Sequence, residues 1–153
     1  MNEGGIRVPT IAIWPKVITP GSKSSHPSTF YDYLTTISDI VGEPLPYKTD
    51  GISFLPTLKG ESQIEHKYLY WEFPSYGGQQ AIRINEWKGI KKDLFNGPSE
   101  LKLYNLSNDP KELNNVASRY PEIVNKMENI MKEAHTTPVM DKFKIPVLEN
   151  NIK

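Results

Sequence analysis

The chain has 153 residues, and its 37% hydrophobic and 24% charged residues are typical of a folded protein rather than of a disordered tail. The 18 basic and 18 acidic side chains balance, so we expect no nucleic-acid partner bound by phosphate neutralisation. Cysteine is absent, which excludes disulfides, thiolate metal sites and a cysteine nucleophile.

Membrane and export signals are not visible in the sequence. No apolar stretch approaches the length of a membrane-spanning helix, so no membrane partner is expected. The first residues, MNEGG, lack the basic and apolar regions of a signal peptide. The compartment therefore stays open at this point.

The first elements are predicted to be a strand, a loop and a helix. Residues 10–14, TIAIW, are apolar with little alternation, which indicates a strand buried on both faces. Thr29 and Asp32 then form a capping-box pattern, and Gly42 ends a helix. The apolar residues Phe30, Leu34, Ile37 and Val41 recur at helical spacing within it. The sequence offers no obvious parallel partner for the strand, so we interpret this strand and helix as a remnant of a larger α/β sheet.

The second part of the chain is predicted to be a sheet with a helix. A helical turn is expected around residues 54–58, followed by strands at 68–73, 80–84, 87–90 and 101–106. Consecutive short strands favour antiparallel pairing, with Gly77-Gly78 as a hairpin turn. Pro121 is placed to begin a helix whose apolar face covers one side of the sheet. The predicted fold class is α+β: a four-stranded antiparallel sheet packed by a C-terminal helix and preceded by the strand-helix remnant.

Several short motifs follow one another in a specific order. They are EGGIRVP at 3–9, DYLTTISDIVG at 32–42, DGISFLP at 50–56, YWEF at 70–73, GGQQAIR at 77–83, LYNL at 103–106 and DPKE at 109–112. Their order and spacing resemble the C-terminal part of type I, arylsulfatase-like sulfuric ester hydrolases. Tyr33 and Thr35 replace the Leu and Pro that are usual in the second motif. The resemblance implies that the parent fold of the remnant is alkaline-phosphatase-like.

The resemblance also implies a chemistry whose groups are not found in this sequence. Such sulfatases use a formylglycine hydrate made from a Cys/Ser-x-Pro-x-Arg motif, together with a calcium ion and Lys and His residues that concentrate positive charge around the sulfate oxygens. The sequence has no such motif, and in the family the calcium ligands and the catalytic Lys precede Glu-Gly-Gly. We therefore predict no catalytic residue, no metal site and no cofactor in this chain; calcium and formylglycine are implied only for the full-length family.

The remaining polar residues suggest few sites. His26, His66 and His135 have no metal-ligand spacing and are interpreted as exposed loop or cap residues. In the family this region helps to shape the substrate pocket, so the polar 76–80 turn is the best candidate for contact with a substrate sugar. Its predicted substrate-binding residues are Tyr76, Gln79 and Gln80. An ordinary hairpin turn is the competing interpretation.

The predicted organisation has three parts: residues 1–64 as the remnant of the catalytic α/β domain, 65–138 as the C-terminal subdomain and 139–153 as an extended tail. The leading functional hypothesis is a segment that is inactive alone and completes the fold and substrate pocket of a full sulfatase, with a missing N-terminal half as partner. A stand-alone module that binds a sulfated glycan or a protein is the alternative, against which the zero net charge counts. The unpaired strand is expected to cause self-association. Relatives of full length are often exported or periplasmic.

Overall fold

The computed structural model describes residues 1–149, and its central feature is an antiparallel sheet with strand order β1-β2-β3-β4. The strands are β1 (Leu69–Phe73), β2 (Gln79–Ile84), β3 (Trp87–Lys91) and β4 (Lys102–Asn105). Each strand pairs with the next along the chain, as short connections between antiparallel strands allow. The four predicted strands and their antiparallel arrangement are confirmed.

One face of the sheet is covered by helix α4 (Pro121–Ala134). Ile82, Gly89 and Leu103 lie opposite one another on neighbouring strands, so they share this face. Met127 of α4 packs on this row and is fully buried, as are Ile82 and Leu103. Gly89 leaves the necessary space, because a Cβ there would lie 3.0 Å from the Met127 sulfur.

Helix α4 begins at Pro121, as the sequence predicts, because the first position of a helix needs no N–H donor. Its buried residues, Met127 and Met131, are four apart and therefore lie one above the other on a single face. Burying each of these side chains contributes roughly 1.5–3 kcal/mol. The predicted helix that covers one side of the sheet is therefore present.

The opposite face of the sheet carries a second cluster formed by Ala81, Ile90 and Tyr104, against which Met1 packs. The residues that follow Met1 form one helical turn, α1 (Glu3–Ile6). The sequence patterns do not predict α1, since two of its four residues are glycine and glycine disfavours a helix. Tertiary contacts of the Glu3 side chain, described below, hold the turn in place.

The chain divides into two compact units. The sheet unit consists of Met1–Val8 and the described residues from Tyr68 onward; the helical unit is Pro9–Lys67. The predicted first domain, residues 1–64, differs at its start, because Met1–Val8 pack with the sheet. The second boundary, after Lys67, lies close to the predicted one.

The predicted extended tail, residues 139–153, is wrong in its described part. Residues Asp141–Phe143 form a 3₁₀ turn, and Pro146–Glu149 form a short helix, α5. Ile145 between them is buried and lies beside Gly78. Burial of this side chain fixes the segment on the sheet unit, which the spaced apolar residues of the tail did not reveal. Residues 150–153 of the predicted tail lie outside the described residues.

The helical unit contains α2 (Phe30–Val41) and α3 (Leu55–Lys59). A capping box joins Thr29 and Asp32 at the start of α2, where the Thr29 N–H donates to Asp32 Oδ2 over 2.7 Å. Gly42 ends the helix with a φ of 76°, a left-handed conformation that glycine adopts without strain. Both predicted helices and both predicted ends of α2 are confirmed.

The predicted strand at residues 10–14 does not form within the described residues of the helical unit. The segment makes no strand pairing there, and Ile11 and Ile13 are 88% and 86% exposed. A strand is stabilised by hydrogen bonds to a neighbour, and an apolar, β-branched sequence does not supply one. The prediction of a strand at residues 10–14 is therefore wrong, whereas the predicted helix of the remnant is present.

Candidate functional site

The turn between β1 and β2 has an unusual backbone. Tyr76, Gly77 and Gly78 have φ values of 51°, 81° and 76°, so three consecutive residues are left-handed. The Gly78 N–H donates to the Ser75 carbonyl over 3.2 Å and closes a tight turn centred on Tyr76 and Gly77. A side chain at Gly77 would be strained and would also place its Cβ 2.9 Å from Asp93 Oδ1. The Gly-Gly pair is therefore required by the backbone of this turn.

The structure separates the three residues predicted to contact substrate. The Tyr76 side chain is 83% exposed, whereas Gln79 and Gln80 are buried. Gln79 and Gln80 are neighbours in β2, so their side chains point to opposite faces of the sheet. Gln79 Oε1 accepts a hydrogen bond from the Met1 amine, and Gln80 Nε2 donates to the Tyr70 hydroxyl over 2.6 Å. The expected exposed polar turn is therefore wrong for both glutamines, and a substrate contact by any of the three stays a prediction.

Gln80 belongs to a buried polar cluster on the α4 face of the sheet. The Tyr70 hydroxyl donates to Glu72 Oε1, the same oxygen that lies 2.6 Å from His135 Nδ1. Burial, followed by the hydrogen bond to the Glu72 carboxylate, raises the pKa of Tyr70 well above its ordinary value. The Tyr70 hydroxyl is therefore held protonated as a donor. His135 Nε2 lies 3.6 Å from Glu149 Oε1, so the imidazole stands between carboxylates from β1 and α5.

A cavity of about 70 Å³ adjoins this cluster. Its lining residues come from β2, β3, α4 and α5: Gln80, Lys91, Glu128, Met131, Lys132, His135 and Leu148. Lys91 Nζ is paired with Glu128 Oε1 at 2.5 Å, so one cation of the cavity is already neutralised. The lining therefore contains charges of both signs, and Lys132 is a second cation besides the paired Lys91.

The second buried cluster lies on the opposite face and contains charged groups. Lys88 is fully buried, and its ammonium group lies 2.9 Å from Glu3 Oε2 and 3.0 Å from Glu112 Oε1. The Glu3 N–H donates to Glu112 Oε2 over 2.9 Å, and Arg83 pairs with Glu3 at 3.5 Å. Two cations thus balance two carboxylates; Lys88 and both carboxylates are buried, whereas the Arg83 side chain is 29% exposed. The cluster fastens α1 to the sheet.

The sequence does not predict this cluster, although it contains both Glu3 and Lys88. The two residues are separated by 85 positions, and no periodic pattern connects them. Glu112 follows an Asp-Pro turn and has a φ of 55°. This left-handed conformation is uncommon for glutamate and cannot be predicted from the sequence. The one signal in the sequence was the position of Lys88 inside the predicted strand 87–90. Its burial, which the structure shows, requires a partner because lysine is almost never fully buried without one.

The helical unit has its own buried polar centre, at Asp32. Besides capping α2, Asp32 Oδ1 accepts from the Ile52 N–H over 2.9 Å and lies 2.8 Å from His66 Nε2. A Cβ at Gly51 would collide with the Tyr31 carbonyl and the Thr35 hydroxyl, so the chain approaches α2 closely there. Asp32 therefore joins the helix start, the 50–53 loop and His66. The interpretation of His66 and His135 as exposed is wrong, because both side chains are buried against carboxylates.

The resemblance implies a calcium site in full-length sulfatases, and such a site needs several carboxylate or amide oxygens around one point. Glu3 and Glu112 are the two carboxylates of the charged cluster, and the Lys88 ammonium group already pairs with both. Within residues 1–149, no three His, Asp or Glu side chains are grouped so that they could hold a metal ion. The described residues therefore do not fit a calcium site.

Across the same described residues, no helix combines the length and the apolar character needed to cross a bilayer. The longest, α4, is 14 residues long, and its exposed side carries charged residues. Both features are those of a helix that packs on a sheet through one face.

Comparisons with known proteins identify the family. Residues 1–137 match the family model described as N-sulphoglucosamine sulphohydrolase, C-terminal. The chain is 32% identical to an ulvan-active sulfatase of Formosa agariphila, over 87% of this chain and 33% of that protein. It is 34% identical to human arylsulfatase K, over 80% of this chain and 24% of that protein. The chain therefore spans about a third or less of the length of these relatives.

A solved structure supports the same conclusion. One protein has been solved in complex with its own substrate, D-glucosamine-2-N,6-O-disulfate. That structure aligns with this chain with a TM-score of 0.66 and 26% identity, over 78% of this chain and 26% of that chain. The protein belongs to the family of sulfatase C-terminal domains. The resemblance drawn from the motifs and the α+β fold class are both confirmed.

Proposed function

We propose that this chain acts as the C-terminal subdomain of a sulfuric ester hydrolase and is inactive alone. It would complete the fold and the substrate pocket, while the nucleophile, the calcium ligands and the catalytic Lys would come from the larger part that its relatives contain. The observation that carries this proposal is coverage: the family model spans residues 1–137, yet the chain matches only 33% and 24% of two relatives. The other two-thirds or more of each relative has no counterpart here.

The surface of the helical unit supports a partner of this kind. Helix α2 exposes most of its apolar side chains, among them Phe30, Leu34 and Ile37. Residues 10–14 add a segment of strand-like sequence with two exposed isoleucines. Exposed apolar surface of this extent and unpaired backbone both mark contacts with another polypeptide. We propose the N-terminal half of a sulfatase as that partner, with the 10–14 segment forming a strand upon association.

Complementation tests this function. In the Formosa ulvan-active sulfatase, the segment matched by this chain is deleted, and the chain is supplied either fused in its place or as a separate protein. Hydrolysis of 4-methylumbelliferyl sulfate is expected to return with the chain and to stay at background with either part alone. Turnover by the purified chain alone would overturn the proposal that it is non-catalytic.

A binding measurement accompanies the activity assay, so that an inactive hybrid remains informative. The purified chain is titrated with the deleted sulfatase in sedimentation velocity experiments, and a one-to-one complex is expected. The matched control is the chain with Ile11→Ser and Ile13→Ser, which removes apolar side chains without touching the sheet core. Absence of association for both forms would count against the N-terminal half as the partner.

A second candidate function, a stand-alone glycan-binding module, is favoured by one observation. Phe73 and Tyr76 form an exposed aromatic pair beside the β1–β2 turn. Of the three predicted substrate contacts, Tyr76 is the one whose side chain is free to reach a ligand. Under both candidate functions Gln79 and Gln80 would act indirectly, through the Met1 amine and the Tyr70 hydroxyl.

A further inference from the structure

Asn96 lies at the end of an exposed turn of the sheet unit and is followed by a glycine. Residues Leu94–Asn96 form a 3₁₀ turn after β3, and Asn96 is exposed. Gly97 has a φ of 118°, a positive value that favours glycine. A Cβ at Gly97 would meet no atom within 4 Å, so the space on that side of its backbone is open. Asn96-Gly97 is also the one Asn-Gly pair in the sequence.

An Asn-Gly pair places a nucleophile and an electrophile next to each other in one chain. The backbone nitrogen of a residue can attack the side-chain carbonyl carbon of the asparagine before it, because the two atoms close a five-membered ring. A Cβ on the second residue hinders the approach, and glycine has none. A backbone N–H that donates a good hydrogen bond is held back from the attack, since that bond has to break first.

The hydrogen bond of the following N–H distinguishes Asn96 from three other asparagines. The Gly97 N–H donates to the Leu94 carbonyl over 3.4 Å, which is long for such a bond. The N–H groups that follow the other three asparagines donate over 2.9, 2.7 and 2.8 Å. These asparagines are, in the same order, Asn2, Asn105 and Asn108. The Gly97 nitrogen is therefore the least restrained of the four.

We propose that Asn96 is a site of spontaneous covalent modification, at which asparagine is converted to aspartate and isoaspartate. The Gly97 nitrogen gives up its proton and bonds to Asn96 Cγ, while the bond from Cγ to Nδ2 breaks. Nδ2 takes up the proton and leaves as ammonia, so that a succinimide ring remains. Water then adds to one of the two ring carbonyl carbons and breaks the bond from that carbon to the nitrogen, which regains a hydrogen. Opening at Cγ gives aspartate, and opening at the backbone carbonyl carbon gives isoaspartate.

The modified segment contacts the turn between β1 and β2. The Phe95 N–H donates to the Gly77 carbonyl over 2.9 Å, and the neighbouring Leu94 is buried. The Leu94 N–H donates to the Gly78 carbonyl over 3.2 Å. Aspartate adds a negative charge and keeps the backbone length, whereas isoaspartate inserts a CH₂ group into the backbone directly after Phe95. We therefore expect isoaspartate to weaken these contacts and aspartate to leave them in place.

Peptide mapping of the full chain tests the site. The folded chain is incubated at mildly alkaline pH, where more of the attacking nitrogen is deprotonated, and is digested with trypsin at intervals. Asn96 lies in the tryptic peptide 93–102, whereas Asn105 and Asn108 lie in the peptide 103–111 of the same digest. Peptide 93–102 is expected to gain about one dalton at a rate about tenfold higher than peptide 103–111, because no short hydrogen bond has to break first. A sample digested at the start corrects for conversion during digestion.

Synthetic peptides and two variants provide the controls. In free peptides with the sequences 93–102 and 103–111 the fold is absent, so folding should slow the second about tenfold and leave the first nearly unchanged. Asn96→Gln should abolish the mass gain, since the longer side chain has to form a larger ring. Asn96→Asp is one of the two products from the start. Its melting temperature should equal that of the fresh parent chain, whereas the isoaspartate fraction of an aged sample should melt at a lower temperature.

Two results would overturn this proposal. One is a peptide 93–102 that keeps its mass in the folded chain while the free peptide converts, which would show that the fold protects Asn96. The other is equal conversion of peptides 93–102 and 103–111 in the folded chain, which would remove the role of the Gly97 backbone. The modification goes beyond the proposed sulfatase function and does not require it, so the complementation assay and the peptide mapping fail separately.

Discussion

The sheet unit and the helical unit both contain amphipathic sequence patterns, but they bury their apolar side chains to different extents. In the sheet unit both faces of the sheet are covered, and Ile82, Leu103 and Met127 are fully buried. In the helical unit, Phe54 is the one large apolar residue among the described residues 9–67 that is buried to a comparable degree. Its buried interior is otherwise polar and is organised by Asp32. An amphipathic pattern therefore predicts that a helix or strand forms. Whether its apolar side chains are buried depends on another part of the protein that packs against them.

The largest expected loss of stability comes from a substitution in the charged cluster of the sheet unit. Lys88→Met leaves the Glu3 and Glu112 carboxylates buried without their shared cation, which should lower the free energy of unfolding by about 3–5 kcal/mol. Urea denaturation followed by circular dichroism measures this change in the free energy of unfolding. The exposed Lys102→Met substitution is the control, and a comparable loss there would show that the cluster is not the cause. Adding Glu3→Gln and Glu112→Gln should recover part of the loss, since neutral amides need no counter-charge.

A somewhat smaller effect is expected from the apolar core of the same unit. Leu103→Ala should cost about 3 kcal/mol, because truncation of a fully buried side chain leaves a cavity beneath α4. Leu113→Ala makes the same chemical change at an exposed residue of the sheet unit and should stay within about 0.5 kcal/mol of the parent chain. Equal losses in urea denaturation would contradict the described packing.

In the helical unit the corresponding loss should come from a polar residue. Asp32→Ala removes the acceptor for the Thr29 and Ile52 N–H groups and the partner of His66, at an expected cost of about 2 kcal/mol. Hydrogen exchange should show faster exchange at Ile52 and in the first turn of α2, with the sheet strands unaffected. Asp39→Ala, on the exposed side of the same helix, should leave exchange unchanged. Uniform acceleration in both variants would count against a local role.

The surface of the sheet unit should give a small, pH-dependent effect. Hydrogen bonds from the Asn114 and Leu113 N–H groups lower the pKa of Asp109 below its ordinary value of 3.8. A lowered pKa stabilises the fold above 3.8, and this contribution is lost as the pH falls through the folded-state pKa. Asp109→Ala should therefore lower the melting temperature slightly at neutral pH, with the difference narrowing in acid. A constant difference across this range would rule out the carboxylate as its source.

The smallest effect on stability is expected where the helical unit is most exposed. Ile11→Ser with Ile13→Ser should change the free energy of unfolding by no more than about 0.5 kcal/mol, since both side chains already face water. The same variant should reduce self-association, measured by light scattering across a dilution series, because the apolar segment is removed. Unchanged self-association would show that another surface drives it. Limited proteolysis should cut within residues 9–60 before residues 65–135 in the parent chain, because Met1–Val8 pack with the sheet unit.

Local patterns were sufficient to predict most elements. The Gly77-Gly78 turn, Pro121 at the start of α4 and the ends of α2 each depend on a short-range rule about φ or hydrogen bonding. The prediction for residues 10–14 was wrong because a strand also needs a neighbour, which is not a local property. Helix α1 was missed for the opposite reason: contacts from distant residues outweigh the low helix propensity of its two glycines.

The candidate site was less accessible to sequence reasoning. The sequence predicts that Tyr76 is exposed because it lies in a turn. It predicts the same for Gln79, but Gln79 is the first residue of β2 and is already part of the sheet. The pairing of Phe73 with Tyr76 depends on the left-handed turn that brings their rings together. No spacing rule connects Lys88 with Glu3, or His135 with Glu72, since the fold alone makes them neighbours.

The charged cluster also limits which fragments of this protein can fold, and it determines when the sheet can fold during synthesis. Glu3 leaves the ribosome long before Lys88 and Glu112, so its carboxylate stays hydrated until both have emerged. The sheet can then close only after most of the chain has been made. A fragment trimmed to begin at residue 65 would leave Lys88 facing Glu112 without Glu3, and its sheet would be missing the turn that covers one face. The minimal independently folding piece should therefore connect residues 1–8 to residue 68 through a flexible linker that replaces residues 9–67.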